Sequence, residues 1–231
     1  MIFRNKYYYF KSVLEDDFCE KIINIGLKKL SSSSIKATIK KDINNTKKKN
    51  ITKIKLKDKT LEKIKKEKID IEKVNFRDSE ICFLNEDWIY KKVIPYVNHA
   101  NKNAGWNFEY SVVEAAQFTK YAKNQYYGWH IDGQGDVYGA YQDNINNKKL
   151  RGLVRKLSVT INLSGDENYD GGNLKFDFGP NTQGERFIEC TEIRPKGSII
   201  VFPSFTYHQV TPVTKGTRYS LVMWICGKPF S

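Results

Sequence analysis

The sequence predicts one domain of mainly β fold, an all-β core of sandwich or barrel type with flanking α-helices supplied by its N-terminal half. Three observations predict it. From Trp106 onward, short runs of β-forming residues alternate with Gly, Asn, Asp and Pro punctuation. Within them, "LSVTINL" (157–163) alternates strictly, with Leu157, Val159, Ile161 and Leu163 opposing Ser158, Thr160 and Asn162. Before Trp106 the apolar residues recur instead at helical spacing, and 231 residues that are 40% hydrophobic can fill a single core.

Taken in order, Ser12 with Glu15 forms a capping box that opens a first helix. Leu14, Phe18, Ile22, Ile25 and Leu27 give that helix its apolar stripe, and "SSSS" (31–34) breaks it. The Lys-rich stretch that follows predicts a loop around "DINNTKKKN" and a charged helix over 60–71. "RDSEICFL" (77–84) reads as a strand, and Asn85 caps a second helix that accommodates Pro95 as a kink. Strands are then expected near 110–121, 127–132, 157–163, 173–178, 186–193, 198–202 and 217–225, with turns at "DGG" (170–172) and "PKG" (195–197). Residues 1–105 form a helical, Lys-rich support and 106–231 the β core of one domain, 1–231.

The formal net charge of +13 is concentrated: between Lys28 and Val74 there are 17 Lys against 6 acidic residues. A basic surface can meet phosphates, but this segment has no Phe, Tyr or Trp to stack on bases, so a solvated face is the favoured reading and a nucleic-acid partner is not. No apolar run approaches the roughly 20 residues of a membrane span. Cys19, Cys82, Cys190 and Cys226 are scattered without C-x-x-C spacing, and the N-terminus lacks a secretory pattern. Free thiols in the cytoplasm, or a host cytoplasm for a viral gene, are expected.

The chain has three histidines. In "YYGWHIDGQGD" (126–136), His130 and Asp132 are two apart, and in an extended strand they would share a face. His99 lies among Lys and Asn on the second helix and reads as a surface residue. His208 follows the apolar strand "SIIVFP" in a loop, where it can turn into a cleft. Two histidines and a carboxylate make the facial triad of non-haem Fe(II), although zinc also takes such a trio. Ten residues on, Arg218 shares a strand face with Ser220, Val222 and Trp224. An inward arginine needs an anion, and its planar fork matches a carboxylate. A metal faced by such an arginine suits a dicarboxylate such as 2-oxoglutarate; a surface salt bridge is the alternative for Arg218 alone.

These residues carry a resemblance. Over roughly 112–230 the chain resembles the Fe(II)/2-oxoglutarate-dependent dioxygenases, in the prolyl 4-hydroxylase-like branch of bacteria and their phages. The motifs fall in family order: His130-x-Asp132, Gly171-Gly172, Pro195-x-Gly197, His208 and Arg218-x-Ser220. The resemblance implies a double-stranded β-helix (jelly-roll) core packed against N-terminal helices. It also implies Fe(II) held by His130, Asp132 and His208, and 2-oxoglutarate as co-substrate, with ascorbate as a reductant. Arg218 would pair with the distal carboxylate of 2-oxoglutarate, helped by Ser220 and Tyr121; core packing explains an inward Tyr121 equally well. Tyr127 and Trp129 would line the substrate entrance, or simply pack.

The implied reaction is hydroxylation of a C–H bond with succinate and CO2 as co-products, on a peptide or small-molecule substrate, first of all a peptidyl proline. The Gly-, Asn- and Tyr-rich stretch 133–156 falls where relatives carry a variable loop and suits a mobile lid. Two other readings stand beside it. One is nucleic-acid demethylation by the same chemistry, against which Trp224 occupies the place of a second arginine. The other is a non-catalytic basic binding protein that keeps the fold.

Overall fold

The computed structural model describes residues 5–32, 35–40, 75–142, 145–180, 182 and 184–230. The helix expected over 60–71 and the loop around "DINNTKKKN" lie outside them. Two α-helices are described, α1 (Asp16–Ser32) and α2 (Asp87–Asn103). The strands are β1 (Tyr8–Phe10), β2 (Ile35–Lys40), β3 (Asn75–Leu84), β4 (Val112–Val113), β5 (Ala116–Tyr121), β6 (Tyr126–His130) and β7 (Val154–Asn162). After them come β8 (Tyr169–Gly171), β9 (Leu174–Asp177), β10 (Phe187–Glu189), β11 (Ile199–Pro203), β12 (Tyr207–Val210), β13 (Val213–Gly216) and β14 (Arg218–Gly227).

Among the described residues, one strongly curled antiparallel sheet runs β1-β11-β7-β14-β5-β3-β6-β12-β9-β10, with β2 added on β3 and β4 on β14. A second, two-stranded sheet pairs β13 with β8. The N-terminal half therefore contributes strands as well as helices: β3 is inserted between β5 and β6, and β1 closes one edge.

Strand alternation sorts the two faces of this sheet. Phe118 of β5, Leu157, Val159 and Ile161 of β7, and Leu221, Met223 and Ile225 of β14 form one cluster with Ile22 and Ile23 of α1 and Ile89, Val93 and Val97 of α2. The intervening residues point into the curl and are polar yet buried: Ser79, Gln117, Thr119, Ser158, Thr160, Asn162, Arg218 and Ser220. The sheet is thus apolar outside, beneath the described helices, while its inner face is polar on β3, β5, β7 and β14 and apolar where Leu174, Phe176, Ile200 and Phe202 cluster beside His208.

Several expectations change in detail. Ser12 is not a helix cap: its φ is 49°, and its N–H donates to Ser198 Oγ at 3.0 Å. The N–H groups of Val13 and Leu14 both donate to Gly197 O, so this stretch is tied to the turn before β11 and α1 starts later, at Asp16. Its buried stripe is Cys19, Ile22, Ile23, Gly26 and Leu30, while Phe18, Ile25 and Leu27 pack only partly. The α2 N-cap is Glu86, not Asn85, and it makes no side-chain cap bond. The strand expected over 110–121 is interrupted between β4 and β5, and 186–193 supplies β10 followed by a 3-10 turn. His208 lies on β12 rather than in a loop, because its strand finds partners on both sides, β6 and β9.

Candidate metal centre

His130 is the last residue of β6, and Asp132 lies just past the strand end, where its N–H donates to Ser204 O at 2.9 Å. His208 stands directly opposite His130 across the β12–β6 pair. The three ligand atoms lie within 4.8 Å of one another. His130 Nε2 is 3.5 Å from Asp132 Oδ1, and His208 Nε2 is 3.7 Å from Asp132 Oδ2.

Each imidazole is turned by its other nitrogen. His130 Nδ1 is 2.8 Å from Gly128 O, and His208 Nδ1 is 2.9 Å from Thr206 O. A carbonyl only accepts, so in the neutral rings the proton sits on Nδ1 and the Nε2 lone pair faces the carboxylate. Burial pushes the His208 imidazole down to about 4, which keeps it neutral near pH 7. Burial acts to raise the Asp132 carboxyl, but His208, His130 and the Arg155 guanidinium outweigh it and hold the group below the usual carboxylate range. The result is three inward-facing electron-pair donors in a nearly closed space, an arrangement that fits a divalent cation.

The surroundings fix these ligands. Ser158 Oγ donates to Asp132 Oδ2 at 2.7 Å and lies 2.9 Å from Ser204 Oγ. The Tyr127 ring stacks on His130, with centroids 3.6 Å apart and planes 14° apart. Arg155 binds Glu114 through Nε and Nη2, both at 2.7 Å, covers the Trp224 ring at 3.8 Å, and reaches Asp132 O with Nη1 at 3.4 Å. A register shift aims it there. Ile225 pairs with Leu157 but Cys226 pairs with Arg155, which leaves Lys156 as a bulge that re-aims its neighbour. None of Ser158, Ser204, Arg155 and Glu114 belongs to a motif; only Ser158 was marked, by lying on the polar side of "LSVTINL".

Arg218, expected to face an anion, is 1% exposed and makes no ion pair among the described residues, and its Nη2 is buried without a hydrogen-bond partner. Tyr121 pairs with it across β5–β14, and the guanidinium carbon is 5.6 Å from the ring centre. Ser220 is buried on the same face. The Gly171-Gly172 turn makes this possible: Gly172 has φ +60°, and a Cβ there would come within 3.0 Å of Arg218 Cδ.

Trp129 points away from the metal ligands, as the residue before His130 must, and packs near Phe187 and Tyr207. The described part of 133–156 is tied to the sheet by hydrogen bonds. Tyr141 OH donates to Glu114 Oε1 at 2.7 Å, Tyr141 N and Gly152 N bond to Leu153 O and Tyr141 O, and residues 154–156 belong to β7. His99 is exposed on α2, with Nε2 3.4 Å from Tyr8 OH.

Residues 116–226 match the family model described as the 2OG-Fe(II) oxygenase superfamily. A PKHD-type hydroxylase, YbiX, of Escherichia coli is 36% identical over 109 residues, which are 47% of this chain and 41% of that protein. A PKHD-type hydroxylase of Hyphomonas neptunium is 39% identical over 94 residues, 40% of this chain and 39% of its own. The chain thus spans about two-fifths of the length of these relatives. Among solved structures, a prolyl-4-hydroxylase of Pseudomonas putida superposes with a TM-score of 0.58 at 14% identity, over 98% of this chain and 94% of that one. A viral collagen prolyl hydroxylase of Paramecium Bursaria Chlorella virus-1 gives 0.55 at 20%, over 96% and 97%. At such identities the likeness establishes a shared jelly-roll fold.

Proposed function

We propose, from the premise that residues 116–226 belong to the 2OG-Fe(II) oxygenase superfamily, that the chain is an Fe(II)- and 2-oxoglutarate-dependent hydroxylase of the prolyl 4-hydroxylase-like type. Its substrate is a C–H bond of a peptidyl proline or a related amino acid. The observation that carries this reading is the convergence of His130, Asp132 and His208 in one barrel with the buried Arg218, whose Nη2 has no hydrogen-bond partner.

When bound, the ferrous ion supplies the chemistry by which O2 and 2-oxoglutarate give succinate, CO2 and a hydroxylated substrate. Every other task falls to side chains. The two histidines hold their Nδ1 protons against Gly128 O and Thr206 O and present Nε2. Asp132 supplies the negative ligand and is fixed by Ser158. Arg218 receives the distal carboxylate of 2-oxoglutarate, with Tyr121 and Ser220 beside it, in a space dry enough to strengthen the pair. Tyr127 covers one face of His130 and keeps water from it. Residues 1–231 act as one domain, since β1 and β3 complete the sheet. Four unpaired cysteines suit a reducing cytoplasm.

Succinate release by the iron-loaded protein, with ascorbate as reductant, tests the reading. A proline-containing peptide is expected to stimulate release. His130→Ala and His208→Ala should abolish it, and Arg218→Gln should raise the 2-oxoglutarate requirement at least about tenfold. Full activity in either histidine variant would refute the ligand set. Stimulation by a methylated oligonucleotide alone would move the reading to demethylation, and salt-dependent DNA binding without any turnover would favour a binding protein.

A further inference from the structure

A second buried guanidinium lines the barrel and has no part in the centre just described. Arg77 of β3 is 6% exposed and shares the inward face of its strand with Ser79, to whose Oγ its Nε donates at 2.9 Å. Its guanidinium carbon lies 4.5 Å from the ring centre of Tyr127. The imidazole of His130 already occupies one face of that ring at 3.6 Å, so Arg77 covers the other. The order outward from the metal ligands is therefore His130, Tyr127, Arg77.

Among the described residues, no carboxylate pairs with Arg77. Asp78 points to the opposite side of β3 and accepts from Gln125 Nε2 at 3.0 Å, and Glu80 pairs with Lys120 at 2.9 Å. Arg155, by contrast, has Glu114, and Arg194 has Asp166. Among the described residues, Arg77 and Arg218 are the two buried arginines, and neither makes an ion pair. An arginine cannot lose its proton in a protein, so a buried one requires an anion. A ferrous ion, the Asp132 carboxylate, both carboxylates of 2-oxoglutarate and the Arg218 guanidinium are together neutral. Among the described residues, Arg77 is then left beside the reacting centre without a directly paired anion.

We propose that Arg77 binds a carboxylate of the substrate, an inference that rests on the hydroxylase reading and narrows its substrate to acid-bearing amino acids or peptides. The 3.6 and 4.5 Å separations put the guanidinium within about 8 Å of the His130 ring. One residue spans roughly 3.5 Å of chain, so the acid belongs to the hydroxylated residue or to its immediate neighbour. The first case is a free or C-terminal amino acid, the second an acidic side chain next to the target.

The test uses the full chain loaded with Mn(II) and saturated with N-oxalylglycine, a stable analogue of the co-substrate. Calorimetric titration compares N-acetyl-L-proline, N-acetyl-prolyl-aspartyl amide and N-acetyl-L-prolinamide. At least one of the two acids is expected to bind tenfold or more tightly than prolinamide, and which one does so identifies where the carboxylate sits. In Arg77→Gln that preference should shrink to less than twofold. Equal affinities, no binding by any of the three, or a preference that survives in Arg77→Gln would overturn the inference. So would loss of N-oxalylglycine binding in Arg77→Gln, which would assign that guanidinium to the co-substrate. The acid–amide comparison in the unaltered protein stands whether or not the variant folds. Failure of N-oxalylglycine to bind the Mn(II) protein at all would instead sink the metal and co-substrate reading.

Discussion

Ser158 Oγ donates to Asp132 Oδ2 at 2.7 Å, so one carboxylate oxygen has a fixed protein donor and the group has one orientation. Removing that donor should loosen the ligand without emptying the site. Ser158→Ala is expected to weaken Mn(II) binding about tenfold while thermal unfolding of the metal-free protein shifts little, as metal titration and melting curves would show. Residues of this kind separate what the sequence exposes from what it hides. The cluster of His130, Asp132 and His208 was legible as a candidate site because imidazoles are scarce here and two of its members share a short motif. Arg218 was legible because a charge on an inward strand face demands a partner. Arg155 was not. Its position depends on Lys156 dropping out of register with β14, and no local pattern announces a bulge whose partner strand lies some seventy residues away.

At the scale of elements, the close approach of α1 to β5 decides how firmly the sheet is backed. A Cβ at Gly26 would come within 2.5 Å of the Phe118 ring, which is fully buried and has nowhere to go. Gly26→Ala should therefore destabilise the fold by about 1–3 kcal/mol despite the better helix propensity of alanine, measured by urea unfolding. An unchanged midpoint would mean that the helix can lift away at no cost. Gly26 and Cys19 were missing from the expected stripe because small residues carry little hydrophobic signal, although they are what lets the helix sit this close. The long strands β3, β7 and β14 were readable from alternation and composition. Strands β1, β8, β12 and β13 are three or four residues long, and their conformation is set by partners distant in sequence rather than by their own pattern. His208 was consequently marked as a candidate ligand before its strand was.

For the molecule as a whole, the four cysteines are buried and unpaired. Burial pushes the Cys19 thiol up to about 11 and raises Cys82, Cys190 and Cys226 as well. A group with a raised pKa stays protonated until the pH climbs past it, so at pH 8 all four remain thiols rather than reactive thiolates. The native protein should release less than about one equivalent of colour from a disulfide reagent at pH 8, and four after denaturation. Rapid reaction of several thiols in the native state would show that the shell opens readily.

Among the described residues, that shell encloses hydroxyls, amides and guanidinium groups beside one apolar cluster, while most of its cohesion comes from the greasy side pressed beneath α1 and α2. Folding and recognition are thereby assigned to opposite surfaces of the same strands. Evolution can re-letter the lining, one inward position at a time, and inherit a catalyst for a new target without rebuilding the container.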